Sequence, residues 1–106
     1  MPDDQSQPAP RIPKRRILGC ALVEFLGDGQ VHGDDEICEY LIRRFSIDES
    51  KLGVNKRTQR PRFRSEVDFA KGLVGDKGKG DGLIRQVSDK HYQILPAGLA
   101  ALLPNV

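Results

Sequence analysis

The segment that decides the fold of this chain is QRPRFRSEVDFAKGLV, residues 59–74. Its apolar side chains recur at i, i+4, i+7 and i+11, which is the spacing of one buried helix face: Phe63, Val67, Ala70 and Val74. This periodicity predicts a helix that begins at Arg60 or Pro61 and ends at Val74. The polar side chains of the segment are then expected to lie mostly off the buried face: Arg60, Arg62, Arg64, Ser65, Asp68 and Lys71.

Two more helices are predicted on the N-terminal side of this segment. The first runs from about Pro13 to Leu26, because proline suits a first helical position and glycines follow the last apolar residue. Its broad apolar face contains Ile17, Leu18, Ala21, Leu22, Phe25 and Leu26. The second helix begins near Gly33 or Asp34, and acids fill its first turn, where negative charge suits the helix dipole. Residues 30–32, between the two helices, can form a very short strand.

On the C-terminal side, alternating apolar residues predict a β-hairpin. Its strands cover residues 83–87 and 91–95, and residues 88–90 form the turn. The connection from the preceding helix, residues 75–82, is polar and glycine-rich, so a flexible loop is expected there. A short helix is expected from Pro96 to Leu103, with three leucines facing inward: Leu99, Leu102 and Leu103.

This order of elements predicts an α+β, mainly helical domain of the winged helix-turn-helix class. Such a domain has three helices, a small antiparallel β wing and, here, a short C-terminal helix. Its third helix is the one presented to the major groove of DNA, which is wide enough to accept it. Residues 1–10 are polar and proline-rich and are expected to form a flexible tail, and residues 11–106 are expected to form the domain.

Charge is strongly segregated along the chain. Residues 24–49 carry eight acids and two arginines, a net charge of −6, whereas residues 50–65 carry six bases and no acid, a net charge of +6. A second basic cluster precedes the first helix or opens it: Arg11, Lys14, Arg15 and Arg16. Concentrated positive charge on a chain of net charge +2 indicates a surface that faces a polyanion. The alternative is an ordinary solvated face.

Composition argues against several classes of protein. The 106 residues are 38% hydrophobic and 30% charged, which is typical of a globular domain. No apolar run approaches the roughly 20 residues of a membrane span, and the N-terminus lacks the pattern of a secretory signal, so we expect a cytoplasmic protein, nucleoid-associated in a bacterium, with no membrane partner. Cys20 and Cys38 are expected to be free and buried. They make no recognised metal-binding spacing with the two histidines, so neither a metal nor a cofactor is expected.

From Gln59 to Leu99 the sequence resembles the N-terminal domain of Mrr-type restriction endonucleases. The residues that carry the resemblance are Gln59, Phe63, the run from Ser65 to Ala70, and Gly82-Leu83-Ile84, together with Gly29-Gln30-Val31-His32 and Glu36-Ile37. The resemblance implies a winged-helix module that reads DNA. In such enzymes the module is joined to a separate nuclease domain, and some members act on modified DNA. A nuclease domain or subunit is thus an implied partner.

No catalytic set is predicted in the chain itself, so it is not expected to be an enzyme. Glu49-Ser50-Lys51 matches part of a nuclease metal motif by its letters, but it lies in a polar segment between helices and is expected to be a solvated turn. Gly78-Lys79-Gly80 lacks the spacing and the following Ser or Thr of a phosphate-binding loop.

The sequence therefore favours a module that binds double-stranded DNA, with a protein-interaction module as the alternative. Gln59 and Ser65 are expected near base edges, and Arg57, Arg60, Arg62 and Arg64 near phosphates. Lys90 and His91 at the hairpin turn are expected to reach the neighbouring groove or backbone. The complete set of candidate DNA-binding residues is Lys56, Arg57, Thr58, Gln59, Arg60, Arg62, Arg64, Ser65, Asp68, Lys71, Lys90 and His91.

Overall fold

A computed structural model of the chain describes residues 12–54, 56–57 and 59–102. These residues form an α+β domain whose helices are α1 (Arg15–Phe25), α2 (Asp34–Phe45), α3 (Arg62–Val74) and α4 (Pro96–Leu102). Its strands are β1 (His32–Gly33), β2 (Ile84–Ser88) and β3 (His91–Ile94). Short 3-10 turns follow α1, at Leu26–Asp28, and α2, at Glu49–Lys51. Helices and strands thus occur in the order that the sequence predicts, although α1 begins two residues later than Pro13.

The three strands form one antiparallel sheet in the order β1-β3-β2. In the hairpin, Ile84 pairs with Ile94, and an irregularity in register lies between Gln86 and Ser88. The short strand β1 adds to the other side of β3 through the pair His32 and Tyr92. The hairpin is therefore attached to the segment that joins α1 to α2, and this attachment fixes it beside the helices.

The core lies between the helices and the inner side of the sheet. The predicted face of α3 is confirmed, because its four apolar residues are all buried: Phe63, Val67, Ala70 and Val74. Helix α1 approaches α3 closely at Gly19, where an added Cβ would lie 3.0 Å from a methyl group of Val74. The approach of these two helices therefore depends on a residue without a side chain.

Two positions of α1 differ from the sequence prediction. Ile17 was expected on the apolar face but is 50% exposed, and Cys20 was expected to be buried but is exposed. The buried face is centred on Leu18, Gly19 and Leu22 because α1 packs against α3 through the glycine. Cys38 on α2 is buried as expected, and burial raises the pKa of its thiol to about 11.

In the short helix α4, the residue that faces inward is not the one that the sequence predicts. Leu99 was expected to be buried but is 43% exposed. Gly98 is the buried residue, since an added Cβ there would lie 2.3 Å from the carbonyl oxygen of Leu83 and 2.5 Å from Ile94. The close approach of α4 to the hairpin thus requires a glycine and turns Leu99 outward. Leu102 packs against the core, and Leu103 lies outside the described residues.

The ends of α2 show why acids begin this helix. The backbone N–H of Gly33 donates to Glu36 Oε1 at 2.8 Å, which satisfies a group that the helix itself leaves unpaired. At the other end, Ser46 adopts the left-handed conformation with φ 54° and ends the helix. Asp48 then caps the turn that contains Glu49-Ser50-Lys51 by accepting a hydrogen bond from Ser50 N, so this segment is a turn, as the sequence predicts.

The glycine-rich connection after α3 is hydrogen-bonded to the end of that helix. Its end returns to the last turn of the helix, where Leu83 N donates to Val74 O and Gly82 N donates to Gly75 O. Residues 75–82 form a loop, as the sequence predicts, and these hydrogen bonds pair carbonyls at the end of the helix that would otherwise lack donors. Within the described residues, no helix is long and apolar enough to cross a membrane.

Candidate nucleic-acid interface

The buried face of α3 decides which of its side chains can meet a partner. Because Phe63 and Val67 point into the core, positions 65, 69 and 72 lie on the opposite, outer side of the helix. The side that faces α2 carries Arg64, Asp68 and Lys71. The residues predicted as one DNA-facing set are thus divided between two sides of the helix.

Ser65 lies on the outer side of α3 by its position but is only 8% exposed. The expectation that it points freely outward is therefore wrong. The guanidinium of Arg60 forms an ion pair with Asp68, one turn beyond the serine. Helical periodicity places a residue on one side of a helix but does not report how far other parts of the chain cover that residue.

Lys71 is only 7% exposed, so the expectation that it lies off the buried side of α3 is also wrong. Its ammonium group forms an ion pair with Asp34 and lies 3.3 Å from Asp68 Oδ1. The ring centroid of Tyr92 lies 4.7 Å from the same nitrogen. The first turn of α2 and strand β3 thus enclose Lys71, which ties α3 to both elements instead of serving as a surface cation.

Arg64 is also paired within the chain. Its Nη1 lies 2.8 Å from Asp35 Oδ1, and its Nε lies 3.8 Å from Glu49 Oε2. The hydrogen bond to Asp35 raises the pKa of Arg64 and lowers the pKa of Asp35, so both groups are charged at neutral pH. The acids at the start of α2 therefore neutralise part of the positive charge that the sequence assigns to α3.

The basic segment before α3 forms a closed loop. Val54 forms an isolated antiparallel bridge with Pro61, and Arg62 N donates to Gly53 O at 3.0 Å. Between these closing contacts the side chains of Lys56, Arg57 and Gln59 are exposed, whereas Thr58 lies outside the described residues.

Gln59 in this loop has an unusual backbone conformation. Its φ of 61° lies in the left-handed region, which few residues other than glycine adopt. Its side-chain amide donates to Lys56 O at 3.1 Å, which stabilises the bend. The hydrogen bond holds Gln59 at the entrance of α3, where the sequence places it.

The hairpin turn is fixed against α2. The backbone N–H of Asp34 donates to Lys90 O at 2.8 Å. His91 Nδ1 lies 2.7 Å from Asp89 O, so this ring nitrogen donates to the carbonyl. The side chains of Lys90 and His91 remain exposed, and the turn holds them close to the start of α3.

Two concave surfaces flank the first turns of α3. We call the first the α1-side groove, and it is lined by Ile12, Pro13, Lys14, Arg15, Arg16, Leu52, Arg62 and Glu66. We call the second the hairpin-side groove, and it is lined by Gly33, Asp34, Asp35, Glu36, Arg60, Arg64, Lys90 and His91. The α1-side groove has four bases and one acid, whereas three acids face three bases in the hairpin-side groove. Positive charge is therefore concentrated on the α1 side.

Sequence reasoning missed two parts of this region. It identified the cluster from Lys14 to Arg16 but did not place it beside Arg62, because only the packing of α1 on α3 brings them together. It also omitted Phe69, which is 53% exposed on the outer side of α3. The available signal was that Phe69 falls outside the i, i+4, i+7, i+11 series of apolar residues.

Within residues 12–54, 56–57 and 59–102, histidine, cysteine, aspartate and glutamate side chains form no group of three or more that could hold a metal ion. Comparison of the chain with protein-family models, with curated proteins and with solved structures finds no match. The likeness to Mrr-type domains is thus carried only by the residues quoted above.

Proposed function

We propose that this chain is a winged helix-turn-helix domain that binds double-stranded DNA, with α3 entering the major groove. The order of the elements supports the proposal, as does a β2–β3 hairpin attached to β1 beside the helices. The hairpin turn is then the wing. Gln59 at the entrance of α3 is the candidate for a base contact, because a side-chain amide can pair with adenine through two hydrogen bonds.

The observation that carries the proposal is the presence of basic side chains on both sides of the start of α3. A helix in the major groove has the phosphates of the two strands on its two sides. Arg62 and Lys14 line the groove on one side, and Arg60 and Lys90 line the groove on the other. The exposed loop residue Arg57 precedes α3 and extends the basic surface.

The resemblance to Mrr-type domains supports a role in a restriction system, as the part that reads DNA or a modified base. The proposal assigns no chemical step to this chain, so cleavage belongs to a nuclease domain or subunit. The cytoplasm, where such systems meet DNA, is the proposed location.

DNA binding of this kind is expected to depend strongly on salt. If about four cations meet phosphates, a plot of log K against log salt concentration should have a slope near −4. Arg62→Ala should weaken all duplexes and make the slope less steep by about one unit, because Arg62 lines the α1-side groove. Fluorescence anisotropy with a labelled duplex at several salt concentrations measures both quantities.

Arg43→Ala is the matched control, since Arg43 is equally a surface arginine but lies in the last turn of α2, outside both grooves. It should leave the slope unchanged. A wild-type slope near zero would exclude DNA as the partner and favour a protein-interaction module.

Asp35 is expected to restrain DNA binding. Its carboxylate is the nearer of the two acidic partners of Arg64 and carries the same charge as a phosphate, so Asp35→Asn should weaken the hold on the guanidinium and remove a repulsion. We expect the affinity for any duplex to rise by about three- to tenfold at one fixed salt concentration. Equilibrium titration with the same labelled duplex measures this change.

Glu24→Gln provides the control for Asp35→Asn. It makes the same change in net charge and also breaks an ion pair with an arginine, Arg44, which joins α1 to α2 and lies in neither groove. If the two variants raise the affinity equally, the effect comes from net charge, and Asp35 has no local role.

A further inference from the structure

The outer side of α3 presents an unusual stripe, which we call the outer stripe: Ser65, Phe69 and Gly72. These residues follow one another at i, i+4 and i+7 and therefore lie on one line along the helix. Phe69 is 53% exposed, and a Cβ added to Gly72 would meet no atom within 4 Å. Within the stripe, Ser65 is nearly buried, so the part that reaches solvent is the projecting ring of Phe69 and the open position at Gly72.

The stability of the fold does not explain the exposure of Phe69 or the presence of Gly72. Burying a phenylalanine stabilises a fold, and here half of the side chain is left in water. A glycine inside a helix is less favourable than alanine, and Gly72 has no neighbour that a methyl group would displace. Both features suit a surface that another molecule approaches closely.

The ring of Phe69 is held in place before any partner arrives. The guanidinium carbon of Arg15 lies 3.9 Å from the ring centroid, which is a cation–π contact. Two hydrogen bonds to Glu66, of 2.8 Å and 3.3 Å, fix the same guanidinium. Arg15 therefore covers one side of the ring and keeps the remainder exposed in one orientation, while Glu66 is satisfied within the chain.

The charge around the outer stripe points to the chemistry of its occupant. The α1-side groove, with Lys14 and Arg62, lies along the same side of the helix and favours a polyanion. Arg16 lines the same groove but forms an ion pair with Asp81 at 2.5 Å. A polyanion that also offers an apolar group to a phenylalanine is duplex DNA at its major groove, where a pyrimidine displays its C5-methyl group.

We infer that Phe69 recognises the C5-methyl group of a pyrimidine in the major groove, either thymine or 5-methylcytosine. This inference rests on the proposed function, since it requires α3 to enter the groove. Gly72 has no side chain and no neighbour within 4 Å of an added Cβ, so a base edge can approach the ring from the C-terminal side along the helix. Phe69 thus adds specificity for a base pair, whereas the surrounding lysine and arginine side chains supply affinity that is independent of the DNA sequence.

The test compares a mixed-sequence duplex with the same duplex in which deoxyuridine replaces every thymidine, and with a third in which 5-methylcytosine replaces cytosine. Wild-type protein should bind the uracil duplex about fourfold more weakly for each thymine contacted, as expected when one methyl group is no longer buried. Phe69→Ala should bind the thymine and uracil duplexes equally, and Phe69→Leu should retain part of the difference. A gain on 5-methylcytosine that is lost in Phe69→Ala identifies that base as a second source of the methyl group.

Leu99→Ala is the matched control, because Leu99 is a similarly exposed apolar residue on α4, which packs on α1 and β3. It should preserve the ratio of thymine to uracil affinity. Equal binding of all three duplexes by the wild-type protein would overturn the inference about Phe69 and leave DNA binding intact. Absence of salt-dependent binding to any duplex would overturn both.

Discussion

Replacement of Phe63 by alanine is expected to lower the free energy of unfolding by about 3–5 kcal/mol. Phe63 is fully buried on the inner side of α3, in one cluster with Leu18, Leu22 and Leu41. Truncation removes the aromatic ring from the place where α1, α2 and α3 meet, and the cavity left behind adds to the lost burial. Urea unfolding followed by circular dichroism measures the change.

The same helix offers a close control for this experiment. Phe69→Ala removes an identical ring that is half exposed, so its cost should stay below about 1 kcal/mol, mainly from the lost contact with Arg15. Similar losses from both variants would mean that the inner and outer sides of α3 are wrongly assigned. That result would also remove the basis for placing Phe69 at a DNA surface.

Replacement of Asp34 by alanine is expected to cost about 2–4 kcal/mol, because it leaves the buried ammonium of Lys71 without its main partner. Asp68, 3.3 Å away, compensates in part. Adding Lys71→Met to the Asp34→Ala variant should restore much of the lost free energy of unfolding, since no uncompensated charge then remains in the interior. Urea unfolding of the two single variants and the double variant forms a double-mutant cycle that measures the coupling.

The pH dependence of this pair follows from the pKa of Lys71. Burial alone would lower this pKa, but the hydrogen bond to Asp34 and the negative charges of Asp34 and Asp68 raise it above its ordinary value of 10.5. A pKa raised in the folded state contributes stability that is fully present below the unfolded-state pKa and is lost as the pH rises through the folded-state pKa. The contribution of the lysine should therefore be constant near neutral pH and disappear only in strong alkali.

Asp35→Ala is the control for Asp34→Ala, since it removes a neighbouring acid from the same helix turn. Asp35 pairs with Arg64 at the surface, and such pairs contribute about 0.2–1 kcal/mol. A cost for Asp34→Ala no larger than this would show that Lys71 is hydrated in solution and is not enclosed between α2 and β3.

The sequence by itself determined the order of the elements and the inner side of α3. Helical periodicity is a local property that can be recognised without the rest of the chain. Here it is the spacing of four apolar residues: Phe63, Val67, Ala70 and Val74. The hairpin is equally local, because its two strands are joined by a short turn and pair with each other. These parts could be predicted because neighbouring residues decide them.

Tertiary structure alone decided which charges remain available at the surface. Asp34 and Asp35 lie far from Lys71 and Arg64 in the sequence, and only the packing of α2 across α3 brings each acid to its base. Positive charge counted along residues 50–65 was therefore an overestimate of the charge presented by α3. The cluster at the start of α1 gained importance for the same reason, since the close contact at Gly19 places it beside Arg62. Coulombic interactions depend on the distance between charges in space. A charge pattern along the chain therefore locates the basic residues, but only the fold determines which acids they pair with.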